Sequence, residues 1–269
     1  MVLLIAAGLF IRSFTALLRL DLGFDPRGVL TFNVGFSEEK HDTKEKQWAL
    51  IDAVLDSARR LPGAIAAGAV CQRPFANGVI GMDTDVIIEG QPLGTESSSR
   101  NPILNWEVAT PDYFRAMDIR LLQGRLFDER DTAKSPPVVI IGQSLAARLW
   151  PGQDAVGRRM VAYGAPEEEK RPVWQTVIGV VEDARYREVE TPRFDLYLQY
   201  RQAPNQVEYF MVRLPGDPLA AVPALRTAIA TLDAEAKVDG ISTMQEVVGR
   251  AFAPWGSAAS SSPHSRSSP

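Results

Sequence analysis

The chain has 269 residues, 45% hydrophobic and 23% charged, with a formal net charge of −4. That is a globular composition with room for one large domain or two smaller ones. It lacks the basic footprint that nucleic-acid binding requires. Its single cysteine, Cys71, excludes an internal disulfide and a cysteine-based metal cluster, and two histidines, His41 and His264, make a zinc or haem site improbable.

The first element is apolar. Met1 to Ile11 carries no polar side chain and stops at Arg12, whereas a membrane-crossing helix needs roughly 20 such residues. A secretory signal would have a positive region before this stretch and a small-residue cleavage site after it. The outer part of a transmembrane helix fits better. Ile11, Phe14, Leu17 and Leu18 continue at helical spacing as an amphipathic stalk to about residue 24, which Asp25-Pro26 ends.

Val29 to Phe36 then reads as a strand. Asp42-Thr-Lys-Glu45 resembles a capping box, and Trp48, Ile51, Val54, Leu55, Ala58 and Leu61 predict a helix over 43–61. Pro62-Gly63 stops it, and Ala64 to Gln72 is a small-residue strand. Short strands follow at 83–89 and 103–108. Thr110-Pro111 reads as a cap with proline at the first helical position of a helix over 112–117. Val138 to Ile141 runs as a strand into a helix over 143–150, and further strands are predicted at 173–181 and 195–200. A second strand–helix unit follows: strand 209–214, a helix from Asp217-Pro218 aligning Val222, Leu225, Ile229 and Leu232, strand 237–241, and a helix opened by Ser242 to Glu246. From Gly256 to Pro269 seven of fourteen residues are serine, a low-complexity composition.

Several motifs resemble catalytic ones, and each has a plainer reading. Gly152 to Arg159 has the glycine spacing of a phosphate loop, but arginines stand where the lysine and the hydroxyl ligand of magnesium belong. It reads as a loop entering a strand. Gly142-Gln-Ser144-Leu-Ala146 sits between strand and helix like a nucleophile elbow, but its second glycine is alanine, and the only downstream histidine is His264. Ser144 reads as a first-turn helix residue. Cys71 reads as a small buried hydrophobe. The acidic runs 128–131 and 167–169 read as solvated loop charges, and Glu182 and Asp183 as polar caps at a strand end. No catalytic, cofactor or metal residue emerges.

The ordered short motifs resemble the periplasmic core domain of MacB-type ABC transporter permeases, in particular the long two-repeat kind. They are Leu4 to Phe14 with Gly23-Phe-Asp-Pro26; Leu61-Pro-Gly63; Thr110-Pro-Asp-Tyr-Phe114 with Leu121 to Arg125; Pro137 to Gly157; Val177 to Val181; and Thr243-Met244. Each is weak alone, but their order across residues 4 to 250 is specific.

The resemblance implies an α+β, two-lobed periplasmic domain. Residues 25–80 and 206–250 would form a porter-like α/β lobe, and 81–205 a strand-rich insert. Residues 1–24 would be the end of a transmembrane helix and stalk, and 251–269 a disordered tail, consistent with a gene fragment and a frameshift. Implied partners are the membrane, a cytoplasmic ABC ATPase and a second permease repeat or subunit; no nucleic acid is expected. The implied role is non-catalytic: coupling ATP hydrolysis to export or mechanotransmission at the bacterial inner membrane. Arg12 and Arg19 alone would weakly favour the opposite orientation. Two other readings are a membrane-tethered binding module, with Trp106, Tyr113 and Trp174 converging on a pocket, and a serine hydrolase at Ser144.

Overall fold

The computed structural model describes residues 21–37, 39–75, 83–93, 99–162, 173–186, 194–203 and 207–258, with side chains as far as 252. The apolar start, the run 167–169 and residues 259–269 of the serine-rich tail lie outside them. The strands are β1 (Val29–Gly35), β2 (Ala66–Val70), β3 (Asp83–Thr84), β4 (Ile87–Ile88), β5 (Leu104–Ala109), β6 (Leu121–Gly124), β7 (Val138–Gly142), β8 (Arg159–Val161), β9 (Gln175–Val181), β10 (Phe194–Gln199), β11 (Tyr209–Arg213) and β12 (Lys237–Thr243). The helices are α1 (Lys44–Arg59), α2 (Tyr113–Met117), α3 (Gln143–Leu149), α4 (Val222–Leu232) and α5 (Met244–Ala258).

All twelve strands belong to one mixed sheet, in the order β12-β1-β11-β2-β5-β10-β7-β9-β8-β4, with β3 added to β5 and β6 to β9. The fold is α+β. The first four strands in that order come from the two ends of the chain, and the remainder from residues 83 to 199. The two sets meet where β2 pairs with β5 through Val70 and Ala109.

Strand alternation explains why the sheet is covered on both sides. Leu30, Phe32, Val139, Ile141, Leu196 and Leu198 point to one face, which α1, α3 and α4 cover with Val54, Leu55, Leu145, Leu225 and Ile229. Val29, Ile140, Tyr197 and Met211 point to the other, where α2 and α5 supply Phe114, Met117, Met244 and Val247. Each fully buried aliphatic side chain stabilises by about 1.5–3 kcal/mol, so these two layers outweigh the surface ion pairs, which contribute about 0–1 kcal/mol each.

Several expectations are corrected in detail. The cap of α1 is Thr43, whose Oγ1 accepts from Lys46 N; Asp42 instead pairs with Lys46 Nζ at 2.7 Å. Thr110 caps no helix. Its Oγ1 accepts from Ala69 N at 2.8 Å and its own amide donates to Ala69 O, joining the two sets of strands. The helix expected from Pro218 is a 3-10 turn, Pro218–Ala221, followed by α4, with Pro223 in its first turn, where no donor is needed. Leu232 is 40% exposed and only Leu225 and Ile229 of that stripe are buried. Helix α5 runs to Ala258, past residue 251, where the tail was expected to begin.

Candidate functional site

Two structural features organise what the chain can do: a cleft at the junction of the two strand sets, and the docking of the segment just after the apolar start.

The cleft has a volume of about 530 Å³ and lies between α1 and the loops after β5, β6 and β10. It is lined by charge from both sides. Asp52 on α1 accepts from Tyr200 Oη at 2.6 Å and forms an ion pair with Arg201. Arg59, about two turns further along α1, reaches Asp112 at 3.2 Å. Burial, with Asp52 beside it, holds the Tyr200 hydroxyl well above the usual tyrosine range, so it stays a donor at neutral pH. These contacts are half-exposed polar clasps on the rim of the cleft, strong enough to set an orientation and weak enough to exchange. A second hollow, about 410 Å³, lies between α3 and strands β6 and β9, against Ala146 and Trp150.

The segment 21–28 is held by backbone geometry. Leu22 and Phe24 are buried in the same apolar layer as Met244, Val247 and Phe252 of α5. Arg185 N donates to Leu22 O and Asp25 N to Met117 O, both at 2.9 Å. Gly23 has φ +71°, and a Cβ there would lie 1.8 Å from Asp183 O, so no other residue fits without displacing the chain. Arg213 on β11 closes the turn, with Nη2 donating to Asp25 O at 2.7 Å and Nε to Ala116 O at 2.9 Å. The result fastens this segment to both strand sets.

The catalytic look-alikes take structural places. Ser144 donates its hydroxyl to Asp183 Oδ2 at 2.5 Å, and its amide donates to Asp183 Oδ1 at 2.9 Å, so Asp183 caps the start of α3. Gly142 is required by this cap, since a Cβ would meet Asp183 Oδ1 at 2.6 Å. His41 packs on Phe36 and lies 4.0 Å from Asp233, away from this cluster; His264 is outside the described residues. Gly157 of the phosphate-loop look-alike spends its amide on Val177 O, leading into β8. Cys71 is buried, and desolvation pushes its thiol up to about 12.

Two expectations fail here. Asp131 is not a solvated loop charge: it is 3% exposed and takes both forks of Arg125, at 2.7 and 2.8 Å, together with Asp128 N. Sequence spacing alone did not reveal this, because Arg125 lies six residues earlier and meets Asp131 only when the loop between them folds back. The aromatic pocket does not form either. Trp106 and Tyr113 are buried in the layers on opposite faces of the sheet, and Trp174 lies under Arg159. Among the described residues no His, Cys, Asp and Glu side chains are grouped for a metal ion, and no helix is long and apolar enough to cross a membrane.

The sheet is continuous and built in part from both chain ends, and the Ser144 hydroxyl is taken up by Asp183. The chain belongs to the family of MacB-like periplasmic core domains, which matches residues 2–232. It is thus a MacB-like periplasmic domain of the ABC transporter permease class. The periplasmic region of MacB from Actinobacillus actinomycetemcomitans shares the fold at 15% identity, with a TM-score of 0.53 over 87% of this chain and 97% of that one. A permease domain from Porphyromonas gingivalis is 18% identical, with a TM-score of 0.47 over 82% and 92% of the two chains. The extracellular domain of the ABC-type transporter YknZ, from Gram-positive bacteria, is 12% identical, with a TM-score of 0.46 over 77% and 98%. No curated protein matches the sequence.

Proposed function

We propose that this chain is the force-transmitting periplasmic part of an inner-membrane ABC permease, without catalysis of its own. A separate cytoplasmic ATPase supplies the work, and a second permease repeat or subunit completes the assembly. In this reading residues 25–80 and 206–250 form one lobe, 81–205 the other, and residues 1–24 bring the stalk from the membrane. The observation that carries it is the docking of segment 21–28. Leu22 and Phe24 lie in one apolar layer with α5, and Gly23 fits against Asp183 with no space to spare. A tilt applied to the preceding helix is then delivered to both strand sets at once. The clasps of Asp52 and Arg59 across the cleft are the contacts that such a tilt exchanges.

The test uses the permease assembled with its ATPase, with spin labels at Glu45 on α1 and Glu129 on the far rim of the cleft. The label-to-label distance is expected to change between the nucleotide-free and ATP-trapped states. The change should vanish in Gly23→Val while ATP hydrolysis persists. A distance that ignores nucleotide in the parent protein would sink the proposal.

A further inference from the structure

Arg73 is a partly buried cation at the end of β2. Its guanidinium lies 4.9 Å from the centre of the Tyr209 ring. Its hydrogen bond is a long one, Nη1 to Thr31 Oγ1 at 3.5 Å, and its buried Nε has no partner. Among the described residues no carboxylate pairs with it. Leaving a partly desolvated guanidinium in that state is costly unless something anionic completes it.

A second arginine converges on the same place. Arg250 on α5 donates from Nη2 to Ser242 Oγ at 2.8 Å. Thr31 on β1 and Ser242 on β12 are cross-strand partners in register, and directly opposed residues share a face about 4.5–5.5 Å apart. The two guanidinium groups are therefore anchored on adjacent hydroxyls of one sheet face. Burial lowers the proton affinity of Arg73, Tyr209 opposes this, and the nearby charge of Arg250 lowers it further, as expected for two cations facing one space. The Glu246 carboxylate borders this place: its Oε2 accepts from Thr243 N at 2.9 Å in the capping box of α5 and from Ser242 Oγ at 3.4 Å.

We infer that Arg73, Arg250, Thr31 and Ser242 form a binding site for a phosphate group, free or carried on a lipid headgroup. Planar forks from the end of β2 and from α5, held on the Thr31 and Ser242 hydroxyls that accept from them, supply donors from two elements, as a tetrahedral oxyanion needs and a single carboxylate does not. The Tyr209 ring holds the Arg73 fork in place. Occupancy would tie α5 to β1 and β12 at the level where the chain leaves the sheet.

The test takes the full chain and three charge-matched variants, Arg73→Gln, Arg250→Gln and, as control, Arg226→Gln on the exposed side of α4. In one arm the unfolding midpoint is followed while inorganic phosphate replaces chloride at constant ionic strength. In the other, co-sedimentation is measured with phosphatidylglycerol and phosphatidylcholine vesicles. A midpoint that rises with phosphate in the parent and the control, and stays flat in both site variants, establishes the site for free phosphate. Binding to phosphatidylglycerol vesicles that weakens about tenfold or more only in the site variants assigns it to a lipid headgroup. Should Arg73→Gln not fold, Arg73→Lys keeps the charge but loses the fork, and the same loss of response is expected. Site variants that match Arg226→Gln in both arms overturn the inference.

Discussion

Ser144 illustrates how one side chain can imitate chemistry while serving packing. Its hydroxyl and amide both face Asp183, and Gly142 leaves the space for that carboxylate. Ser144→Ala is expected to lower stability by about 0.5–1.5 kcal/mol in urea unfolding, the net worth of a hydrogen bond, and to leave transport intact. Loss of transport without loss of folded protein would restore the hydrolase reading. A second expectation concerns alkaline pH. Burial first of all raises the ionisation of Tyr113, Tyr186 and Tyr197 well above 10.0, and that of Cys71 from 9.0 up to about 12. Groups whose folded pKa is raised favour the fold fully below their unfolded pKa, and that contribution is lost as pH rises toward the folded value. Stability should therefore be level up to about pH 9 and fall above it. Tyrosinate absorbance should appear together with unfolding. Ionisation of all tyrosines in a still-folded chain would contradict the burial described.

Among the elements, α2 is tightly placed. Gly68 on β2 meets it so closely that a Cβ would lie 2.4 Å from both N and Cα of Tyr113. Gly68→Ala is thus expected to destabilise by about 3 kcal/mol or more, because backbone atoms, not a flexible side chain, must move. A loss under 1 kcal/mol by thermal or urea unfolding would mean that α2 can slide. The contrast among elements also shows what the sequence carried. Helix α1 was legible because a six-residue apolar stripe and a polar cap coincide, and β7 because four β-branched residues run together. The role of Thr110 was not, since a Thr-Pro pair reads as a local cap while its actual partner, Ala69, is remote in sequence. Neither was Asp131, whose burial depends on the loop folding back to Arg125. The oxyanion site escaped for the same reason: Arg73 and Arg250 meet only through the pairing of β1 with β12.

At the scale of the whole molecule, continuity of the sheet decides behaviour. The two strand sets are joined through Val70 and Ala109, with Cys71 N bonded to Val108 O and Thr110 N to Ala69 O, and both apolar layers include residues of both sets. Urea unfolding monitored by far-ultraviolet dichroism and by tryptophan fluorescence should accordingly give one coincident transition. Two separated transitions would show that the cleft divides independent folding units. The topology has another consequence, for how the chain comes to be folded at all. Val29 pairs with Arg213 and Leu30 with Thr243, so β1, the first of the described strands, has no partner until β11 and β12 have been made. Such distant closure is slow and leaves an unsatisfied apolar edge open in the meantime. Until then β1 is the segment most open to wrong pairing, and the arrival of β11 and β12 ends that exposure.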